Sequence, residues 1–385
     1  MNPYTFQTAR KIVAGRGVFE QTADQMLQTI NVKRAFIVCQ PSVARLGHLE
    51  RLKKALEEKG IEYGISLDVR PEPTVQDIEH LYRQFSRESY DAIVAVGGGS
   101  VMDAAKVLSV MRTNTTEIRE MLGIERVRFP GVPTVLIPTT AGTGSEVTPN
   151  AIITFQEEGL KIGIISRHLL PALAIIDPLL TVALPKPITA ATGMDAFTHA
   201  LESFLSNKAN PVSDMFALEA IRKISGSIVR AFHHGNDPDA REEMLLGAMY
   251  GGMALTGAGT AAVHAMAYPI GGKFHVPHGV ANAMLLPHVM EFNLDAVTDR
   301  LVPVARAMGL DVEGRTAEQA AGMVLDRIRQ WTKELEIPQD LKAYGVREED
   351  VHDLAVAASQ VTRLMDNNPK PMSVPDIEAI YRKLI

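Results

Sequence analysis

The chain of 385 residues contains a single cysteine, Cys39, and this scarcity excludes two kinds of protein. One thiol cannot form a disulfide framework, and it cannot supply the thiolate ligands of a cysteine-based metal site. Cys39 follows an apolar run, residues 35–38, so a small buried hydrophobe is the simplest interpretation. A metal site in this protein would therefore need nitrogen and oxygen ligands.

Long runs of one charge are also absent. The formal net charge of −6 is spread along the chain, and no stretch interleaves Lys or Arg with aromatic residues. A nucleic-acid surface needs such a basic patch, so we expect no nucleic-acid partner. The first residues, MNPYTFQTARKIVAGRG, lack the apolar core and cleavage site of a secretory signal, and we expect a cytoplasmic protein.

One segment, residues 244–272, lacks Asp, Glu, Lys and Arg and is long enough to cross a bilayer. Seven glycines, Pro269 and His264 interrupt it, and Tyr250 and Tyr268 have polar tips. These features favour a pair of tightly packed buried helices. We therefore expect no membrane partner.

The remaining sequence, with 46% apolar residues, is sufficient for large cores and suggests two domains. Apolar runs at residues 34–39, 62–68, 92–96, 134–137, 151–154, 162–165 and 173–176 predict strands. Helices are predicted from a Ser42 cap to Gly60, after Thr74, and from Ser100. From Pro185 onward nearly every stretch is typical of helix. We predict an α/β domain with a mostly parallel sheet over residues 1–185 and an all-α domain over residues 186–385.

The run YDAIVAVGGGSVMDAAK places Gly97, Gly98 and Gly99 between a predicted strand and a helix that opens at Ser100. Glycines let the backbone approach a pyrophosphate, and free N–H groups at a helix start favour anionic oxygens. The spacing is not that of the usual dinucleotide fingerprint, and three glycines can form a simple tight turn. This motif alone is a weak signal.

A second loop, PTTAGTGSE at residues 138–146, strengthens the prediction of a phosphate site. It also follows an apolar strand, and it offers the hydroxyls of Thr139, Thr140, Thr143 and Ser145. In isolation the loop could be a linker rich in small residues. Two such loops together favour a nucleotide cofactor.

A predicted helix, PKPITAATGMDAFTHALESF, places Asp195 and His199 four residues apart on one face. A carboxylate and an imidazole one turn apart can chelate one cation. Glu202 falls near the same face and could orient a ligand histidine.

Two further histidines, His264 in the uncharged segment and His278 in a VPHGV turn, complete a candidate metal set. Taken singly, each is more often a hydrogen-bonded core residue. Together with Asp195 and His199 they predict a sulfur-free catalytic site for Fe(II), Zn(II) or Mn(II). Such a cation is a Lewis acid that lowers the pKa of an alcohol and favours hydride departure to a nicotinamide ring.

Four motifs, GGGSVMDAAK, PTTAGTGSEVT, ATGMDAFTHALE and HAMAYPIGGKFHVPHGVANAMLLPHVM, occur in this order and closely resemble the iron-dependent alcohol dehydrogenase family over nearly the whole chain. The resemblance implies a Rossmann-like α/β nucleotide domain and a helical, metal-binding catalytic domain, as in the dehydroquinate synthase-like fold. It also implies hydride transfer between NAD or NADP and a small alcohol, diol or hydroxy acid, and a homodimer or higher homo-oligomer.

The resemblance places Fe(II), or another divalent metal, on Asp195, His199, His264 and His278. The cofactor set is Gln40, Gly97, Gly98, Gly99, Ser100, Asp103, Thr139, Thr140, Thr143 and Lys161. Within this set, Lys161 resembles the lysine near the nicotinamide ribose. Asn150 and Tyr268 are expected to line the substrate pocket.

Two positions depart from the family pattern. Tyr268 stands where many members carry a further histidine, so a proton relay through that histidine is not carried over to this chain. Gln40 stands where NAD-preferring members place an aspartate for the adenosine ribose, which leaves the choice between NAD and NADP open. The N-terminal segment TFQTARKIVAGRG is expected to be strand material that pairs with another subunit.

Other functions stay open at this point. A glycerol dehydrogenase-like polyol enzyme or a dehydroquinate-synthase-like lyase would also combine a nicotinamide with a metal. A metal-dependent hydrolase would leave the two Gly/Thr loops without a purpose, and a binding or scaffold role would not explain the His/Asp cluster. The alcohol itself is not specified by the sequence, since Glu72, Asn150 and His275 are only polar candidates for the pocket.

Overall fold

The computed structural model describes residues 3–155 and 160–385, and the chain divides into two compact units. The α/β unit contains Gln7–Thr140 and Gly144–Ala183. The helical unit contains Leu184–Ile385, Ala141–Thr143 and the described part of Met1–Phe6. The sequence pattern placed the last two pieces in the N-terminal domain, whereas the structure groups them with the helices.

The α/β unit is built on two sheets. The described strands are β1 (Ile12–Ala14), β2 (Arg34–Cys39), β3 (Glu62–Ser66), β4 (Ala92–Gly97), β5 (Gly123–Ile124), β6 (Thr134–Pro138), β7 (Asn150–Phe155), β8 (Leu160–Ile165) and β9 (Leu173–Ile176). Six of them form a parallel sheet in the order β1-β9-β6-β4-β2-β3. In the smaller sheet, β8 pairs parallel with β5 and antiparallel with β7.

Both faces of the large sheet are buried, as a parallel sheet requires. Successive side chains of β2 enter different cores: Phe36 and Val38 pack in one, whereas Ala35, Ile37 and Cys39 pack in the other. Cys39 is fully buried, and this burial raises the pKa of its thiol to about 11. The interpretation of Cys39 as a buried hydrophobe is confirmed.

The helices of the α/β unit are α1 (Thr22–Ile30), α2 (Pro41–Arg45), α3 (His48–Glu58), α4 (Val75–Phe85) and α5 (Gly99–Met111). The single helix predicted from Ser42 to Gly60 was wrong in two respects. Gln40 rather than Ser42 caps α2, and Gly47 interrupts the helix with a φ of 82°. A left-handed backbone at Gly47 ends one helix and starts the next, because glycine adopts it without steric cost.

The N-terminal segment TFQTARKIVAGRG is strand over a shorter stretch than predicted, and its pairing with another subunit stays a prediction. Only Ile12–Ala14 is a strand, and it pairs with β9 of the same chain. The predicted fold class is confirmed, because a mostly parallel α/β unit is followed by a helical one.

The helical unit contains α6 (Lys186–Leu205), α7 (Pro211–His233), α8 (Pro238–Ala258), α9 (Ala262–Phe274), α10 (His278–Ala307), α11 (Ala317–Glu334), α12 (Val351–Ser359), α13 (Thr362–Met365) and α14 (Val374–Arg382). The uncharged segment forms most of α8 and α9, as the glycine pattern predicted. Within residues 3–155 and 160–385, no helix has the length and apolar character needed to cross a membrane.

Candidate functional site

Three neighbouring strands of the large sheet, β6, β4 and β2, end at one edge, and residues of the predicted cofactor set follow each of them. Gly97–Ser100 join β4 to α5, Thr139 and Thr140 follow β6, and Gln40 follows β2. The Thr139 N–H donates to the Gly97 carbonyl oxygen at 3.0 Å, which fixes two of these loops together. Open parallel sheets bind their ligands beyond the carboxyl ends of the strands, so this edge suits a nucleotide.

The glycines of this edge have different structural roles. A Cβ atom at Gly97 would lie 2.5 Å from Val101 Cγ2, so this glycine is required for packing. A Cβ atom at Gly98 would lie 3.3 Å from Thr140 Oγ1, and its φ of −79° is open to any residue. Gly98 is the cap of α5, where unpaired N–H groups can meet a phosphate.

Lys161 forms an ion pair with Glu72, which the sequence analysis considered only as a candidate residue of the substrate pocket. Its Nζ atom lies 2.6 Å from Glu72 Oε1, and its side chain is 4% exposed. Glu72 has a φ of 54°, which few residues other than glycine adopt, and its N–H donates to Ser100 Oγ. The pair therefore ties Lys161 to the Gly97–Ser100 turn. No local sequence signal marks this contact, because the two residues are far apart in the chain.

Asp103, which was placed in the cofactor set, accepts hydrogen bonds from two protein groups, and its contact with the cofactor stays a prediction. Its Oδ1 accepts a hydrogen bond from Ser145 Oγ at 2.6 Å, and its Oδ2 accepts one from the Ile152 N–H at 2.9 Å. Both oxygens thus hold the loop after β6 and the start of β7 against α5. Thr143, also in that set, falls in the piece of chain grouped with the helical unit.

Lys106 completes this scaffold, and the sequence analysis did not single it out. Its Nζ donates to Ser145 Oγ at 2.8 Å and to the Asn150 carbonyl oxygen at 2.7 Å. Burial lowers the pKa of Lys106 to about 8, although the nearby carboxylates of Asp103 and Glu146 oppose the shift. Asn150, predicted to line the substrate pocket, thus uses its backbone carbonyl to anchor the start of β7.

The structure brings the four predicted metal ligands together in the helical unit. Asp195 and His199 come from α6, His264 from the first turn of α9, and His278 is the first residue of α10. Their ligand atoms all lie within 4.8 Å of one another. Asp195 Oδ1 lies 3.9 Å from His199 Nε2 and 3.7 Å from the Nε2 atoms of His264 and His278. Three imidazole nitrogens and one carboxylate oxygen, converging in this way, fit a divalent transition metal.

Glu202 orients His264, as its position on the helix suggested. Glu202 Oε2 accepts a hydrogen bond from His264 Nδ1 at 2.6 Å, and Oε1 accepts one from the Val263 N–H. Because a carboxylate only accepts, Nδ1 carries a hydrogen, and Nε2 is the nitrogen that faces the other ligands. Once Nε2 is deprotonated, this arrangement can bind a metal.

The electrostatics of the cluster keep Asp195 ionised. Burial alone would raise the pKa of this carboxyl, but the imidazoles of His199 and His278 and a hydrogen bond to His264 hold it well below its usual range. For His264, burial alone would lower the pKa, but Glu202 and Asp195 raise it to about 9, so a cation that binds at Nε2 would displace a proton from that nitrogen. The site therefore concentrates negative charge around its histidines, which favours a bound cation.

Two more side chains lie beside the cluster. The ring of Tyr268 lies 6.1 Å from the ring of His278 and is 6% exposed, and its role in the substrate pocket stays a prediction. Asn282 was missed by sequence reasoning, yet its amide nitrogen lies 2.7 Å from Asp195 Oδ1. Its spacing of four residues from His278 on α10 was the available signal, since such residues share a helix face.

Comparison with known proteins agrees with this arrangement. Residues 9–178 match the family described as iron-containing alcohol dehydrogenase, and residues 189–385 match the C-terminal part of the Fe-containing alcohol dehydrogenase family. The chain is 37% identical to 1,3-propanediol dehydrogenase of Klebsiella pneumoniae over 358 residues, covering 92% of each chain.

Solved structures give the same result. A 1,3-propanediol oxidoreductase superimposes with a TM-score of 0.96 at 35% identity over 100% of both chains. A sulfoacetaldehyde reductase from Bifidobacterium kashiwanohense, solved in complex with NAD+, has a TM-score of 0.88 at 26% identity, covering 100% of this chain and 99% of that one.

A parallel sheet whose strand ends suit a nucleotide, together with a cluster of nitrogen and oxygen donors that could hold a metal, fits the class of metal-dependent oxidoreductases that use a nicotinamide. The chain belongs to the iron-containing alcohol dehydrogenase family, and it is a metal-dependent alcohol dehydrogenase. Of the functions left open by the sequence, the family membership favours the alcohol dehydrogenase over a metal-dependent hydrolase and over a binding or scaffold protein.

The different roles of Gly97 and Gly98 give a test of whether the pyrophosphate binds at the sheet edge where β2, β4 and β6 end. We expect Gly98→Val to raise the dissociation constant for NADH roughly tenfold or more, because the side chain meets the approaching phosphates, while the melting temperature changes little. The control is Gly97→Ala, which should lower the melting temperature because its Cβ overlaps Val101. Fluorescence titration and calorimetry measure the two effects, and an unchanged NADH affinity in Gly98→Val would show that the pyrophosphate binds elsewhere.

Proposed function

We propose that Asp195, His199, His264 and His278 bind one divalent cation, with Fe(II) as the native ion, and that the substrate is a small primary alcohol or diol and its aldehyde. The observation that carries this proposal is the convergence of four ligand atoms within 4.8 Å. The donor set suits Fe(II) and also Zn(II) or Mn(II), and the family supports iron among them.

A bound cation would supply Lewis-acid stabilisation of the alcohol oxygen. The contribution of the chain is to deliver four donors from three helices and to keep them in the binding form. Asp195 provides the negative charge, and Glu202 fixes the His264 tautomer. Tyr268 lies largely buried next to His278.

In the α/β unit, we assign the nucleotide to the edge formed after β2, β4 and β6. Gly97–Ser100 would hold the pyrophosphate at the start of α5, with the Thr139 and Thr140 hydroxyls beside it. Lys161, held by Glu72 next to Ser100, would contact the nicotinamide ribose. Residues 1–185 are thus the nucleotide domain of this proposal, and residues 186–385 the metal domain.

The test of this function is metal-dependent reduction of the nicotinamide. We expect the purified enzyme to generate reduced nicotinamide absorbance with 1,3-propanediol and other small primary alcohols. His264→Ala should lose bound metal and at least about 100-fold in turnover, because removing one donor leaves an incomplete site. The control is His233→Ala, which changes an exposed histidine at the end of α7 in the same unit. Wild-type metal content and near-normal turnover in His264→Ala would refute the ligand assignment.

We also propose that the enzyme accepts NADP as well as NAD. Gln40 follows β2, caps α2 without a side-chain cap bond, and carries no charge at the position where an aspartate would repel a 2′-phosphate.

The cofactor proposal is tested with Gln40→Asp. We expect this variant to lower catalytic efficiency with NADPH roughly tenfold or more while leaving NADH nearly unaffected, because a carboxylate repels the phosphate. Steady-state kinetics with both cofactors measure the ratio. A wild type that rejects NADPH as strongly as Gln40→Asp does would place the selection at other residues.

We further propose a homodimer, as the family resemblance implies. Supporting it, β1 is an edge strand of the large sheet that pairs on one side with β9. Light scattering at micromolar concentration should give twice the chain mass of 42.0 kDa, and a monomer mass would refute the dimer.

A further inference from the structure

Asn282 lies among the ligand atoms of the metal cluster without belonging to the predicted set. It is on α10, one turn after His278, and its side chain is fully buried. Its amide nitrogen lies 2.7 Å from Asp195 Oδ1, 3.1 Å from His264 Nε2 and 3.2 Å from His278 Nε2. One amide group thus reaches three of the four atoms that converge on the candidate site.

The oxygen of the same amide, Asn282 Oδ1, differs from the nitrogen in its surroundings. Within the described residues, Asn282 Oδ1 is buried and has no hydrogen-bond partner. A buried acceptor without a donor is destabilising, so proteins keep few of them. Turning the amide over would satisfy nothing, because its oxygen would then face the carboxylate oxygen of Asp195 at close range. The orientation seen is the one that lets Asn282 donate to Asp195.

This contact is compatible with a cation on the same aspartate. A carboxylate oxygen accepts more than one interaction, so Asp195 Oδ1 can receive the amide hydrogen and still serve as a ligand. Each imidazole nitrogen has only one lone pair, so His264 and His278 would give theirs to the cation. The bond from Asn282 to Asp195 is therefore the one that would be compatible with a bound cation.

We propose that Asn282 is a positioning residue of the metal centre, which fixes the Asp195 carboxylate in its ligating orientation and thereby raises the affinity for the cation. The inference rests on the proposed metal site and adds a fifth residue to it. When a residue that hydrogen-bonds to a metal ligand is replaced, the metal affinity commonly changes by about 10- to 100-fold. Asn282 is expected to fall in this range.

The experiment uses the full chain stripped of metal and titrated with Co(II) against a chelating indicator, which yields a dissociation constant and a visible spectrum. Asn282→Leu keeps the approximate volume and removes the donor. We expect it to bind Co(II) about 10- to 100-fold more weakly than the wild type. The matched control is Asn293→Leu, which removes another buried asparagine of α10, one that is hydrogen-bonded to Asn368. This control should lower thermal stability and leave the Co(II) constant unchanged.

A second variant, Asn282→Asp, keeps the shape of the side chain and replaces the donor by an oxygen, so it serves if the leucine variant does not fold. We expect its Co(II) spectrum to differ from that of the wild type, because Asp195 loses its donor and a second carboxylate enters the centre. Wild-type constants and spectra in the Asn282 variants would overturn the proposal and leave Asn282 as a packing residue. Failure of the wild type itself to bind Co(II) would overturn the proposed metal site together with this inference.

Discussion

The buried carboxylate of Asp195 is the constraint on which the helical unit depends. An ionised carboxyl removed from water is costly unless it is surrounded by groups that favour its charge. Here three imidazoles from three helices provide that environment, and their approach fixes the ends of α9 and α10 relative to α6. The arrangement is poor as a hydrophobic core and good as a cation site, which indicates that it is retained for chemistry.

The surrounding polar groups follow from the same constraint. Each imidazole must turn one nitrogen toward the candidate cation. A hydrogen bond from the other nitrogen fixes the orientation of the ring, and Glu202 accepts this bond from His264. In the α/β unit, a comparable requirement governs the loops at the sheet edge. Asp103 and Lys106 bind Ser145 from inside the fold, so buried charges as well as small residues shape the loop after β6.

The strands of the large sheet and the four candidate metal ligands could be predicted from the sequence, because their sequence patterns were periodic or chemically unusual. Apolar runs revealed the parallel strands, and the spacing of Asp195 and His199 revealed a chelating helix face. His264 was conspicuous as a lone imidazole in an uncharged helix. Local pattern could not reveal the pairing of Glu72 with Lys161 or the partners of Asp103, because these contacts join segments far apart in the chain.

The helix break at Gly47 shows a different limit. The amphipathic pattern continues across α2 and α3, so hydrophobic periodicity predicted one helix. A single left-handed glycine interrupts it without disturbing the order of apolar residues. Asn282 was within reach of sequence reasoning, since it lies one turn from His278, but asparagine in a helix has no strong meaning until its neighbours are known.

The solitary Cys39 has one more consequence. Its thiol is enclosed beneath β2, and its raised pKa leaves little of the reactive thiolate at neutral pH. An alkylating reagent can therefore modify the native chain only when the sheet around β2 opens. The rate of that modification, followed by mass spectrometry, reports the opening free energy of the large sheet without any engineered label. Adding the nucleotide or the metal separately would then reveal which of the two stabilises the sheet, because each ligand slows the labelling only if its binding opposes the opening.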